Sequence, residues 1–323
     1  MCGRYVAGQH PEDLVEEFEV EQSSGDGPGE DPAAGGPDFN VAPTKRAVVV
    51  LERPSRPGPV APPADDPAAG AADEEGDATA DAAVAAAGEG PDPGAVRWLR
   101  LFTWGLVPGW AESRGVGSRM INARAETVLE RPAYRRAALH RRCLVPADGW
   151  YEWQPSSTGA GTGTGSGAGT GTGSATRRGK PRKQPFYLHP VDGGVVAFAG
   201  LYEFWRDPTR HPDDPQAWLA SFAIITTEAE PGLDVVHDRM PLVLPRDRWD
   251  AWLDPELRAA GAVQALLRRP DPGRFVAEPV STSVNSVARN GPELLTPVPW
   301  ESLHGVVDPR TGELLGGGPD VLF

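Results

Sequence analysis

The stretch "RCLVPADGWYEWQ", residues 142–154, reads as β-strand, and the fold follows from what surrounds it. Its apolar run carries Cys143, a candidate core residue, and its second half alternates so that Glu152 stands between the aromatic neighbours Tyr151 and Trp153. Strand-like runs recur after it in "PFYLHP" (185–190), "VVAFAGLYEFW" (195–205) and "LASFAIITTEA" (219–229). Before it come "RAVVVLE" (46–52) and "VRWLRLFTWGLVP" (96–108), which flank an acidic segment as hairpin arms flank a long turn. Helical spacing is confined to short pieces: "HPEDLVEEFEV" (10–20), "PRDRWDAWLD" (245–254), "AVQALLRR" (262–269), and 124–140, where Pro132 predicts a break or two short helices. Clustered strands with helices between them, and no regular βαβ alternation, indicate an α+β domain on a mostly antiparallel sheet.

Three stretches fall outside this pattern: loops at 23–38, 53–95 and 155–184. The second includes residues 61–94, which hold nine Asp or Glu and no Lys or Arg, too little apolar surface to offset the entropy of ordering them. The third runs through "GTGTGSGAGTGTGS" as a flexible linker. Without them roughly 240 of the 323 residues remain, one domain in size, taken here as 2–300 with a tail at 301–323. The net charge of -14 is concentrated in the acidic loop, whereas arginines gather at Arg119, Arg124, Arg131, Arg135, Arg136, Arg141 and Arg142. A basic face for a nucleic acid is therefore compatible with an acidic chain. No apolar run reaches the 18 or more residues of a membrane helix, and "MCGRYVAGQH" lacks signal-peptide features, so a cytoplasmic protein with two free thiols is expected.

Several residue types bear chemistry. Cys2 follows the initiator methionine, and loss of Met1 would leave an α-amine and a thiol on one carbon, able to capture an aldehyde first as a Schiff base and then as a five-membered thiazolidine. Glu152, if it faces an apolar pocket, would have its pKa raised toward neutrality and could act as acid and base in turn. His237, in "VVHDRMPLVLP", is the natural proton shuttle. "SRMINARAET" groups Asn122, Arg124 and Glu126; "FTWGLVPGWAES" offers Trp104 and Trp110 as stacking aromatics; "DFNVAPT" contributes Asn40; "SVNSVARNGPEL" adds Asn285, Arg289 and Asn290. Each also has a plain structural reading, as solvated carboxylate, core aromatic or structural histidine. The other histidines show no ligand spacing with either cysteine, so neither a metal nor a cofactor is expected.

The order "MCGRY", "FNVAPT", "WGLVPGW", "INARAET", "ADGWYEW", "HDRMPLVL", "SVNSVARNGPEL" resembles the SOS response-associated peptidase (SRAP) family of abasic-site processing proteins, from residue 2 to about residue 297. The resemblance implies a single SRAP-like domain with a barrel-like, mostly antiparallel β core flanked by short helices. It also implies a monomer that senses abasic sites in single-stranded DNA, including single-strand to double-strand junctions, and crosslinks to them through a thiazolidine at the mature N-terminal Cys2. The implied catalytic residues are Cys2, Glu152, His237 and Asn122; Arg4, Asn40, Arg124 and Trp110 are implied at the DNA or the N-terminus. Nucleoid association on DNA and a lyase-like or autopeptidase activity belong to the same picture. A cysteine peptidase using Cys2, His237 and Glu152 and a non-covalent DNA-binding module are the alternatives that the residues leave open.

Overall fold

The computed structural model describes residues 2–24, 36–54, 94–156, 182–211 and 214–316. Residues 61–93 of the acidic stretch and the "GTGTG" linker lie outside the described residues. Along the chain the strands are β1 (Tyr5–Ala7), β2 (Gln22–Ser24), β3 (Asp38–Val41), β4 (Arg46–Pro54), β5 (Ala95–Trp104), β6 (Asn122–Arg124), β7 (Arg142–Ala147) and β8 (Gly149–Pro155). They continue as β9 (Lys183–Pro190), β10 (Val196–Arg206), β11 (Trp218–Glu228), β12 (Arg239–Pro241), β13 (Val243–Leu244), β14 (Phe275–Pro279), β15 (Val306–Val307) and β16 (Leu314–Leu315). The helices are α1 (Pro11–Glu17), α2 (Pro132–His140), α3 (Trp249–Leu253) and α4 (Ala260–Leu266).

Two sheets carry the fold. One has the order β14-β9-β8-β1-β3; the larger runs β12-β11-β10-β7-β4-β5-β2, with β13 on β10 and β6 on β11. Most pairings are antiparallel, while β6 and β5 lie parallel to β11, and β2 parallel to β5. The arms of the acidic loop do pair as a hairpin, β4 against β5 from Arg46 opposite Thr103 to Pro54 opposite Ala95. A barrel-like main core fills the space between the sheets: Tyr5, Trp150, Phe186 and Phe275 from one side meet Phe102, Trp104, Phe198 and Phe222 from the other. Edge-to-face pairs such as Tyr5 with Trp104, 5.2 Å between centroids, fill it with favourable ring geometry. The outer face of the larger sheet is covered by the short helices, through Leu14, Phe18, Ala137, Ala138, Trp252 and Val263. The result is the α+β architecture expected.

Three details differ from the sequence reading. Residues 125–130 are turns rather than helix, because Pro132, lacking an N–H, opens α2 in its first turn instead of interrupting a longer helix. Trp104 is fully buried, as the inward alternation of β5 dictates, and is not available for stacking. Residues beyond 300 contain the β15–β16 hairpin, anchored by buried Leu303, Val306 and Asp308. Among the described residues no helix is long and apolar enough to cross a membrane.

Candidate functional site

β1 is only three residues long, yet it sits inside the smaller sheet, between β3 and β8. Its pairing places Tyr5 opposite Trp150, and the Tyr151 amide donates to the Arg4 carbonyl at 2.9 Å, so the chain's first residues are laid alongside β8. On β8, strict alternation sends Trp150, Glu152 and Gln154 to the interior and Tyr151 and Trp153 to the outer face. Glu152 therefore enters the space between the sheets, where its residue is 3% exposed. β6 runs parallel to β11 with Asn122 beside Ile224, a main-core residue, so the Asn122 side chain is directed to the same interior.

Cys2 is completely buried in the main core. Its carbonyl accepts a hydrogen bond from Asn122 Nδ2 at 2.7 Å, and its Sγ lies 3.9 Å from the Arg4 carbonyl. Burial pushes the Cys2 thiol well above its usual range, and the Glu152 carboxylate pushes in the same direction. Burial likewise raises the Glu152 carboxyl to about 7; the chain's terminal amine and Lys183 pull it down, and Asp238 adds to the rise. A carboxyl with that pKa is partitioned between acid and base at neutral pH, as general acid–base catalysis requires.

His237 ends a tight series of turns pinned by buried Leu233 and Val236, its amide donating to the Leu233 carbonyl at 3.2 Å. Burial lowers the pKa of its ring, helped by the chain's terminal amine. Nδ1 accepts the Arg239 amide at 3.0 Å, while Asp238 Oδ1 lies 2.9 Å from the same nitrogen, a contact that is attractive only when Nδ1 carries a hydrogen. The backbone donor and the lowered pKa agree on the neutral ring with its hydrogen on Nε2. Glu152 and His237 both respond to Asp238 and to Lys183, which puts the two in one neighbourhood.

The remaining candidates separate into a rim and a support. Arg124 is exposed and Arg4 half-buried, its guanidinium 5.7 Å over the Trp153 ring. Trp110 is 69% exposed within the turn that the Ala111 amide closes on the Pro108 carbonyl. Asn40 is not on the rim: it is fully buried, so contact with a DNA strand is closed to it. Its Oδ1 accepts from Arg4 at 2.7 Å, and its Nδ2 reaches the carbonyls of Val284, Ser286 and Arg289. It thus clamps the loop around Asn285 to the N-terminal segment, reinforced by Arg4 to the Val284 carbonyl at 2.9 Å and Trp153 Nε1 to Asn285 Oδ1 at 2.7 Å.

Two supports escaped the sequence reading. Tyr134 Oη donates to the Asn122 carbonyl at 3.0 Å, fixing the strand that clamps Cys2. Arg239 forms a two-pronged pair with Glu126, 2.7 and 2.9 Å, and bonds the Thr226 carbonyl, tying the His237 segment to the end of β6. That pair holds Glu126 below the usual carboxylate range. Tyr134 in "RPAYRR" carries no sequence signal, and Arg239, although it stands in the motif "HDRMPLVL", reads from sequence alone equally well as surface. Among the described residues no three His, Cys, Asp or Glu side chains gather as a metal site would require.

A chain that delivers its second residue into the gap between two sheets, opposite a carboxyl poised near neutrality, defines a class. The chain belongs to the SOS response associated peptidase (SRAP) family, whose sequence model matches residues 1–287. Among individual proteins, it is 28% identical over 295 residues to the abasic site processing protein YoqW of Bacillus subtilis, spanning 91% of this chain and 99% of that one. It is 29% identical over 196 residues to the abasic site processing protein YedK of Escherichia coli, covering 60% and 73%. A crystal structure of a Bordetella bronchiseptica protein shares the fold, with a TM-score of 0.53 at 20% identity over 87% of this chain and all of that one.

Proposed function

We propose that this protein recognises abasic sites in single-stranded DNA and joins itself to them through Cys2. The observation that carries the reading is the company Cys2 keeps: a carbonyl held by Asn122, and a buried carboxyl at Glu152 with a pKa of about 7. Membership of the family, and relatives called abasic site processing proteins, support DNA with abasic lesions as the substrate.

In the full sequence the nitrogen of Cys2 is an amide and cannot form a Schiff base, so removal of Met1 comes first. The freed amine attacks C1′ of the ring-opened deoxyribose to give a carbinolamine. Protonated Glu152 donates to the departing hydroxyl, one water leaves, and a protonated imine remains. The Cys2 thiol then adds to the imine carbon, its sulfur bonding to C1′ while its proton passes to Glu152 and the imine nitrogen becomes the ring amine. The balance is aldehyde plus aminothiol to thiazolidine plus water. Neutral His237 exchanges protons with the sugar hydroxyl during ring opening. Arg4 and Arg124 hold phosphates, and Trp110 stacks on a neighbouring base.

The electrostatics favour this chemistry over peptide hydrolysis. A cysteine peptidase needs a thiolate stabilised by a cation, whereas burial and the Glu152 carboxylate both oppose ionisation of Cys2, and His237 is held neutral. An adjacent iminium supplies the missing positive charge at the moment the thiol must react. The test is a denaturing gel after incubation with an abasic single strand. Wild type is expected to give a heat-stable adduct and Cys2→Ala none; an equal adduct from Cys2→Ala overturns the proposal.

A further inference from the structure

Gln154 follows Glu152 by two residues on β8 and shares its inward face, where it is 3% exposed. A buried amide is costly unless every polar atom is matched, and this one is matched by two separate parts of the chain. Its Nε2 donates to the Val235 carbonyl at 2.8 Å and to the Val307 carbonyl at 3.1 Å, and its Oε1 accepts the Val307 amide at 2.6 Å. Val235 lies two residues before His237; Val307 belongs to β15.

The β15–β16 hairpin is itself firmly built. The Asp308 amide donates to the Glu313 carbonyl at 2.8 Å, and the Gly312 amide to the Asp308 carbonyl at 2.8 Å. The buried Asp308 carboxylate accepts from the Arg310 guanidinium at 2.6 Å, and that guanidinium lies 3.7 Å from the centre of the Trp300 ring. Trp300 packs on Phe186 of β9, 6.1 Å between centroids. On the other side, a Cβ added to Gly232, whose φ is +91°, would lie 3.4 Å from the Pro309 carbonyl, so the His237 turns and the hairpin are in contact. The hairpin lies past residue 287, where the match to the family's sequence model ends.

We propose that Gln154 and the β15–β16 hairpin form a brace that sets the position of His237, making residues 306–315 part of this chain's working site. Gln154 is a positioning residue: it touches neither sulfur nor sugar and acts through the Val235 carbonyl. An apolar side chain of equal volume would fill the same space without joining β8, the His237 turns and the hairpin. The importance of the brace to crosslinking rests on the role proposed above for His237, whereas the brace itself is testable without DNA.

The DNA-free experiment follows the His237 ring by NMR titration in wild type, Gln154→Met and Arg310→Ala. Arg310 holds the hairpin turn away from the site, so its variant loosens the brace even if Gln154→Met does not fold. The groups facing the ring are Asp238, Lys183 and the chain's amine, all unchanged by either substitution. Loosening exposes the ring, and the expected result is a midpoint raised toward that of an exposed histidine; an unmoved midpoint in both variants overturns the brace. A kinetic cycle then reads its consequence: Gln154→Met is expected to slow crosslinking about tenfold in wild type but less than twofold with His237→Ala. Equal slowing in both backgrounds overturns action through His237. Absence of any wild-type adduct refutes the crosslinking reading and leaves the titration to judge the brace.

Discussion

Replacing Glu152 by Gln tests the electrostatics of the site through stability, apart from any assay of DNA. Burial raises this carboxyl from 4.5 to about 7. Below pH 4.5 the folded and unfolded chains both carry the proton, and the group takes nothing from stability. Above pH 7 the folded protein must hold a buried carboxylate that the unfolded chain hydrates freely, so stability is lost as pH rises between those values. At ~1.4 kcal/mol per pKa unit the full loss is about 3 kcal/mol, and with the residue 3% exposed no solvent discount applies. Glutamine keeps the shape and an acceptor oxygen but never ionises. Glu152→Gln is therefore expected to be more stable than wild type by about 3 kcal/mol at pH 8.5, a rise in thermal midpoint of roughly 6–12 °C for a domain of this size. The advantage should shrink below about 1 kcal/mol at pH 5. Calorimetric melts at the two pH values provide the comparison. The same variant should crosslink slower by roughly 100-fold or more, having lost its acid–base group. A variant less stable than wild type at pH 8.5, or one whose advantage is equal at both pH values, would refute the burial argument.

Three further substitutions separate support from contact. Asn40→Ala removes the donors to three loop carbonyls and the acceptor for Arg4, and should cost about 2–4 kcal/mol in urea unfolding. Trp110→Ala, at a 69% exposed position, should leave stability within about 0.5 kcal/mol while weakening single-stranded DNA binding by about 1–3 kcal/mol, read by fluorescence anisotropy. Tyr134→Phe removes the hydrogen bond to the Asn122 carbonyl and should slow single-turnover crosslinking several-fold, with undamaged DNA bound as before.

The parts of the fold legible in sequence were those set by local pattern. Alternation in 149–155 set Glu152 on the face opposite Tyr151 and Trp153 but left open whether that face is buried, and the two strands flanking the acidic loop named each other as partners because nothing else stood between them. Patterns that depend on distant partners were not legible. Asn40 and Trp110 both read as polar or aromatic groups beside a turn, yet one is sealed beneath a loop more than two hundred residues away in sequence and the other stands in solvent. Trp104 and Trp110, within one motif, part company because β5 ends between them. The hairpin past residue 300 has two-residue strands, too short to show a periodicity, and its anchorage comes from Gln154 and Phe186, on strands far upstream.

The most direct measurement of the central claim is the intact mass of the adduct with a short abasic oligonucleotide. The account predicts the chain without Met1 plus the oligonucleotide less one water, unchanged in mass after treatment with a hydride reductant. An adduct on a chain that still carries Met1, or one that gains hydrogen on reduction as an open Schiff base does, would contradict it.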